Sequence, residues 1–155
     1  MRIELYQEKY KESLNRLLIE LSSELYGLGE ANIEHFVSSH SMIYLAIDEE
    51  LVVGFNAYAY NDCYGMNSPT IANTYMYVMP EYRGSKASYL LSMQTGKIIE
   101  DNEFPLELVI ASDGSERILR KLKGKKTGVS FIYMREDVVD LFNQLKKKVR
   151  LKWFS

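Results

Sequence analysis

Residues 74–91 place the tightest constraint on how this chain can fold. Thr74-Tyr75-Met76-Tyr77-Val78-Met79 is a strand-like run that stops at Pro80, and a few residues later Ala87, Leu90 and Leu91 open a helical pattern. A strand that hands over to a helix through Arg83-Gly84-Ser85 must turn sharply, and the first turn of that helix carries backbone N–H groups with no helical acceptor. These groups lie at the positive end of the helix dipole, where a phosphate can accept them. The segment therefore reads as an anion cradle, uncapped by protein side chains. A strand, a turn and a plain core helix are the alternative.

A chain of 155 residues with 46% hydrophobic content can bury one full core, so residues 1–155 are expected to form a single domain. No apolar run approaches the roughly 20 residues of a membrane span. The start, Met1-Arg2-Ile3-Glu4-Leu5-Tyr6, lacks the apolar stretch of a secretory signal, so a cytoplasmic location is expected. A lone Cys63 with only His35 and His40 beside it offers neither an internal disulfide nor metal-ligand spacing, and no metal site is predicted. Cys63 sits in a turn-rich stretch with nothing to lower its pKa, which argues against a nucleophile.

Hydrophobic periodicity sets the element order. Ile3 to Tyr6 alternates as a short strand, and Leu14, Leu17, Leu18, Leu21 and Leu25 mark one face of a helix that ends at Gly27-Leu28-Gly29. A shorter helix carries Ile33, Phe36 and Val37. Met42 to Ile47 and Leu51 to Tyr60 form a predicted hairpin across Asp48-Glu49-Glu50, with a third strand from Ile71 to Met79 beside it. A helix is expected from Ser85 to about Asn102, then a central strand over Leu106 to Ala111. Ser112 to Gly124 reads as another helix, Gly128 to Arg135 as a strand, and Val138, Phe142, Leu145 and Val149 as one face of a last helix followed by an apolar tail through Trp153-Phe154. The fold class is α+β, a mixed plan with a mostly antiparallel central sheet.

Charge is unevenly spread. Residues 1–63 hold 4 Lys/Arg against 11 Asp/Glu, and residues 64–155 hold 15 against 10. This asymmetry suits a polyanionic ligand on the second half and a cationic one on the first, and it equally suits a homodimer with complementary faces. Arg117, Arg120, Lys121, Lys123, Lys125 and Lys126 form one basic cluster, and Lys146-Lys147-Lys148 with Arg150 and Lys152 a second. A solvated helix face explains such clusters, and so does contact with a nucleic acid.

At Val78-Met79-Pro80-Glu81-Tyr82-Arg83-Gly84 the chain resembles the GCN5-related N-acetyltransferase (GNAT) superfamily, whose signature is a strand ending Val-x-Pro and then [Gln/Arg]-x-x-Gly-x-[Gly/Ala] at the head of a helix. Counted from Arg83, Lys86 stands at the central glycine and Ser88 at the small residue. The predicted order of strands and helices matches the superfamily's plan, with a helix added at the C-terminal end. The resemblance implies acetyl-CoA as acyl donor. It implies that the N–H groups of Arg83, Gly84, Ser85, Lys86, Ala87 and Ser88 face the diphosphate, and that the main chain of Tyr77, Val78 and Met79 pairs with the pantetheine arm.

The same resemblance implies attack of an amine, of unknown identity, on the thioester. It places the acceptor between the first two helices and the cradle strand, near Tyr26, Gly27, His35 and Phe36. His35 is more plainly an exposed spacer. No Asp or Glu lies between Asp62 and Glu81 to act as a base on that strand, where Asn73, Thr74, Tyr75 and Tyr77 stand. The family's usual acidic tyrosine falls at Leu119, and its frequent asparagine at Ser112 or Asp113. Tyr75 and Asp113 are therefore the catalytic candidates, with Tyr133 a substitute acid. A nucleic-acid-binding member of the fold and a catalytically silent acyl-CoA-binding module stand as alternatives.

Overall fold

A computed structural model describes residues 1–62, 68–109, 125–127 and 130–153. Its elements are β1 (Arg2–Leu5), α1 (Lys11–Tyr26), α2 (Ile33–Ser39), β2 (Met42–Asp48), β3 (Leu51–Asn61), β4 (Thr70–Val78), α3 (Lys86–Asp101), β5 (Leu106–Val109), β6 (Lys125–Thr127), β7 (Ser130–Tyr133) and α4 (Arg135–Trp153). The architecture is α+β with a mostly antiparallel sheet and a C-terminal helix, as expected. Two compact units divide it, one of residues 1–59 with 74–94, the other of 60–73 with 95–155.

In the first unit the strands run in the order β1-β2-β3-β4. The hairpin β2–β3 is antiparallel, pairing Met42 with Tyr58 and Asp48 with Leu51, and a bulge between Ala46 and Ile47 shifts the register. Glu49 takes a left-handed φ of 53° in the tight turn between the two strands. Strand alternation lets each strand feed both faces of the sheet. Leu14, Leu17, Leu18 and Leu21 of α1 and Ile33 of α2 pack on Ile43, Leu45, Ile47, Val52, Phe55 and Tyr77. Ala87 and Leu91 of α3 pack on Ala46, Val53 and Val78 on the other face. Leu25, expected on the buried stripe of α1, is 38% exposed, because the apolar layer beneath the helix ends before its last turn.

Gly54 of β3 has a packing reason: a Cβ there would lie 2.8 Å from the Tyr77 carbonyl oxygen and 3.2 Å from Leu91 and Val78 side-chain carbons. The close approach holds β3, β4 and α3 together. Glycine is the residue that permits it.

In the second unit the order is β4-β5-β7-β6. β5 runs parallel to β4 over Ile71, Ala72 and Asn73 and antiparallel to β7. Gly96 of α3 receives Phe142 of α4 so closely that a Cβ would stand 2.5 Å from its ring. Arg135, expected in the preceding strand, opens α4 and donates to the Glu100 and Asn102 carbonyls at 2.9 Å each, tying α4 to the end of α3. The strand at Lys125–Thr127 replaces part of the expected helix exit, since pairing with β7 satisfies backbone that charge pattern alone leaves unassigned. Residues 151–153, expected as a tail, continue α4. The predicted helix at Ser112–Gly124, and with it Asp113 and Leu119, lies outside the described residues, as does Cys63. Among the described residues no helix is long and apolar enough to cross a membrane, and no cluster could hold a metal ion.

Candidate functional site

The second half of β4 builds the site. Its ladder with β5 ends at Asn73, so from Thr74 to Val78 the strand keeps β3 on one side and has no strand partner on the other among the described residues. Strand parity fixes what faces that open edge. The Met79 N–H donates to the Val53 carbonyl at 2.9 Å, so its neighbour Val78 points its amide groups the opposite way. The Val78 carbonyl there accepts the Arg83 Nε at 2.9 Å.

After Pro80 a single 3₁₀ turn, Pro80–Tyr82, leads to an extended Arg83 and then to Gly84 at φ 70°. Only glycine takes that left-handed step cheaply, and the space around it is open. α3 then begins. The expectation of an uncapped cradle is corrected by the local hydrogen bonds. Arg83 and Ser85 N–H donate to the Pro80 and Tyr82 carbonyls at 3.3 Å each. The Ser85 hydroxyl donates to the Tyr82 carbonyl and accepts the Ala87 N–H at 3.2 Å, a serine N-cap. Among the described residues no acceptor meets the N–H of Gly84 or Ser88. Serine just before the helix is a capping residue by its short hydroxyl reach, and that signal was already in the sequence.

Arg83 is drawn toward α1. Its guanidinium meets Glu24 Oε2 at 2.5 Å and lies 5.4 Å from the centre of the Tyr77 ring. The Arg83 bond holds the Glu24 carboxyl below the usual carboxylate range. Tyr77 is buried, its hydroxyl donates to Glu20 at 3.2 Å, and burial followed by the Glu20 charge pushes its pKa up. Tyr77, Val78 and Met79 thus occupy the strand end as expected, while the side chain of Arg83 is engaged by protein.

On the α1–α2 face a cavity of about 300 Å³ opens beside Tyr75. Leu18 and Leu21 of α1 form one wall, and Phe36 and His40 of the α2 segment form another. Tyr26 comes from the end of α1, and Glu30 and Ala31 from the connection, which Gly27 starts at φ 68° as the left-handed cap of α1. His35 lines the same cavity. Its N–H is accepted by Asn32 Oδ1 at 3.0 Å, the cap of α2. Tyr75 is half-buried, and desolvation followed by a hydrogen bond with Tyr26 pushes its pKa up, so it persists as a neutral donor and not as a base.

His40 is the residue that sequence reasoning missed in favour of His35. Its Nδ1 lies 2.7 Å from the Phe36 carbonyl and its Nε2 2.7 Å from the Thr74 hydroxyl. A carbonyl only accepts, so Nδ1 carries a proton, while the Thr74 hydroxyl lies between Nε2 and the Ala57 carbonyl, 3.3 Å from the latter. Nothing in the sequence pairs residue 40 with residue 74; the sheet does. Tyr133 is buried on β7, and burial raises its pKa.

Solved structures with this architecture include proteins named as acetyltransferases. An acetyltransferase of the GNAT family from Staphylococcus aureus matches with a TM-score of 0.59 at 21% identity, covering 86% of this chain and 97% of that one. AtaTR bound with AcCoA matches with a TM-score of 0.62 at 13% identity, covering 91% and 97%. The AtaT–AtaR complex bound to DNA matches with a TM-score of 0.68 at 12% identity, covering 92% and 99%. No family model and no curated protein matches the sequence. The structural likeness establishes that the chain has the GNAT fold.

Proposed function

We propose that this protein is a cytoplasmic N-acetyltransferase of one catalytic domain, moving an acetyl group from acetyl-CoA to an amine. The observation that carries the reading is the edge of β4 at Val78, which has no strand partner among the described residues, followed through the left-handed Gly84 by the start of α3. Such an edge can pair with the pantetheine amides as an added strand would. The Val78 N–H is the donor that would polarise the thioester carbonyl. Gly84 and Ser88 N–H, with the Lys86 ammonium, would hold the diphosphate, and Ser85 and Ala87 shape that turn.

The step is attack of the amine lone pair on the thioester carbonyl carbon, collapse with cleavage of the C–S bond, and protonation of the departing thiolate. Tyr75, held neutral, is suited to supply that proton. The amine's own proton leaves to water, there being no carboxylate on β4. Asp113 remains proposed as a partner of the leaving group.

Thermal denaturation with acetyl-CoA and desulfo-CoA tests the donor site directly. Ligand at a hundredfold excess over Kd should add about 2.7 kcal/mol of stability. No shift at millimolar ligand counts against the reading. Shifts without thiol release over a broad amine panel would indicate a silent acyl-CoA-binding module.

A second reading is nucleic-acid contact through α4, where Lys146, Lys147 and Lys148 stand exposed in sequence. Neutralising all three should then reduce both DNA affinity and its salt slope. An unchanged slope removes this reading. A homodimer joining the acidic and basic halves would show as a doubled mass in light scattering, weakening with salt.

A further inference from the structure

The cavity beside Tyr75 says more about the acceptor than its being an amine. We propose that it takes the apolar side group of the substrate, which is a small primary amine bearing an aromatic or branched aliphatic group, either free or at the N-terminus of a peptide. The proposal rests on the acetyltransferase reading and names the substrate class of that site.

Size comes first. About 300 Å³ is at the small end of ligand sites, room for one side group and not for an extended chain. Chemistry comes second. Leu18, Leu21, Phe36 and Tyr75 give an apolar and aromatic wall, with the Phe36 and Tyr75 rings 5.9 Å apart. Three of the polar side chains at the lining, those of Asn32, Ser39 and His40, are already engaged within the protein. Asn32 Oδ1 caps α2, the Ser39 hydroxyl lies within donating distance of the His35 and Phe36 carbonyls, and His40 spans Phe36 and Thr74.

Against the Leu18, Leu21 and Phe36 wall a polar or charged body would lose water without regaining partners, whereas an apolar group loses nothing. Charge comes third. Glu30 stands at the lining, so an approaching ammonium meets an opposite charge before it reaches the strand edge. A polyamine's second charge would meet the Leu18, Leu21 and Phe36 wall, so diamines are expected to be the poorer acceptors.

The experiment compares phenethylamine, tryptamine, isopentylamine and putrescine as acceptors for the full chain, beside two peptides beginning with Phe and with Asp. Phenethylamine or isopentylamine should exceed putrescine in kcat/KM by at least about tenfold. The Phe peptide should exceed the Asp peptide likewise, and the faster of the two successful arms identifies the source. Ala31→Phe, at an exposed loop position, should fill the cavity. It should lower kcat/KM for phenethylamine by at least about tenfold while leaving the acetyl-CoA thermal shift unchanged. Phe36→Ala should favour tryptamine over phenethylamine.

Binding of N-acetylphenethylamine by calorimetry, abolished in Ala31→Phe, checks occupancy without turnover. If acetyl-CoA gives no shift but this binding is seen, the donor reading fails and the cavity assignment survives. Faster transfer to putrescine, or N-acetylphenethylamine binding that Ala31→Phe leaves intact, overturns the proposal even if transfer itself is observed.

Discussion

Arg83 and Glu24 form an ion pair at 2.5 Å that links the turn after β4 to the last stretch of α1. The residue at the signature position is thereby tied to the protein's own acidic half. Glu24 has its pKa lowered by this bond, so the pair contributes stability above the ordinary carboxylate value and loses it as pH falls through the depressed one. Both side chains are 45% exposed, and solvent screening keeps the contribution within about 0–1 kcal/mol. Urea titrations of wild type and Glu24→Gln should differ at pH 7 and converge as pH falls through the depressed carboxylate value. A constant difference across that range would show that charge is not its origin.

Ser85→Ala separates capping from ligand binding. Loss of the hydroxyl that receives the Ala87 N–H should destabilise the free protein by about 1 kcal/mol. The amide is then released to face the diphosphate, so acetyl-CoA affinity should hold or rise. Calorimetric titration decides. A large loss of affinity would mean that the serine hydroxyl itself contacts the ligand.

Gly84→Ala should cost about 1–2 kcal/mol from the left-handed φ alone, because nothing lies within 4 Å of the added methyl. Gly54→Ala should cost about 1–3 kcal/mol by a different route, overpacking against the Tyr77 carbonyl. Gly96→Ala collides with Phe142 in the same manner, and Phe142→Leu should recover part of the loss, whereas it should not rescue Gly54→Ala. Denaturant midpoints of the singles and doubles distinguish these cases.

Tyr75→Phe should lower kcat by about 100-fold at pH 7 with little change in the acetyl-CoA thermal shift. The raised pKa of Tyr75 keeps it protonated up to and beyond the ordinary tyrosine value of about 10. Any alkaline fall in rate from this group should therefore begin above that pH. Stopped-flow detection of thiol release across pH 6–10.5 measures both quantities.

His40 and Thr74 should be energetically coupled. A double-mutant cycle with His40→Ala and Thr74→Val should give about 0.5–1.5 kcal/mol for their 2.7 Å contact. The nitrogen chemical shifts of the ring should report a protonated Nδ1. A coupling near zero would remove Thr74 as a fixed partner of the ring.

What the sequence determined by itself was local and periodic. The leucine spacing of α1, the alternation of β2 and β3 around an acidic turn, and the break at Pro80 before Ala87 and Leu91 each depend on neighbours within a turn or a strand. One face must be apolar for the element to bury at all. The glycine at residue 84 belonged to this class, since a sharp exit from a strand needs a positive φ. The end of α1's buried stripe before Leu25 did not, because it depends on how far the sheet beneath extends.

Tertiary structure alone decided which distant groups share a surface. His40 reaches Thr74 across 34 positions of sequence, Tyr77 reaches Glu20 across 57, and Arg83 reaches Glu24 across 59. The cavity wall combines Leu18, Phe36 and Tyr75 from three separate elements. The β4–β5 ladder likewise ends at Asn73, so that no strand pairs with the Val78 edge among the described residues. Such meetings are set by strand order and register, which close long loops and carry no signature in the residues on either side. Side-chain periodicity says which face is buried, and only the assembled sheet says what that face is buried against.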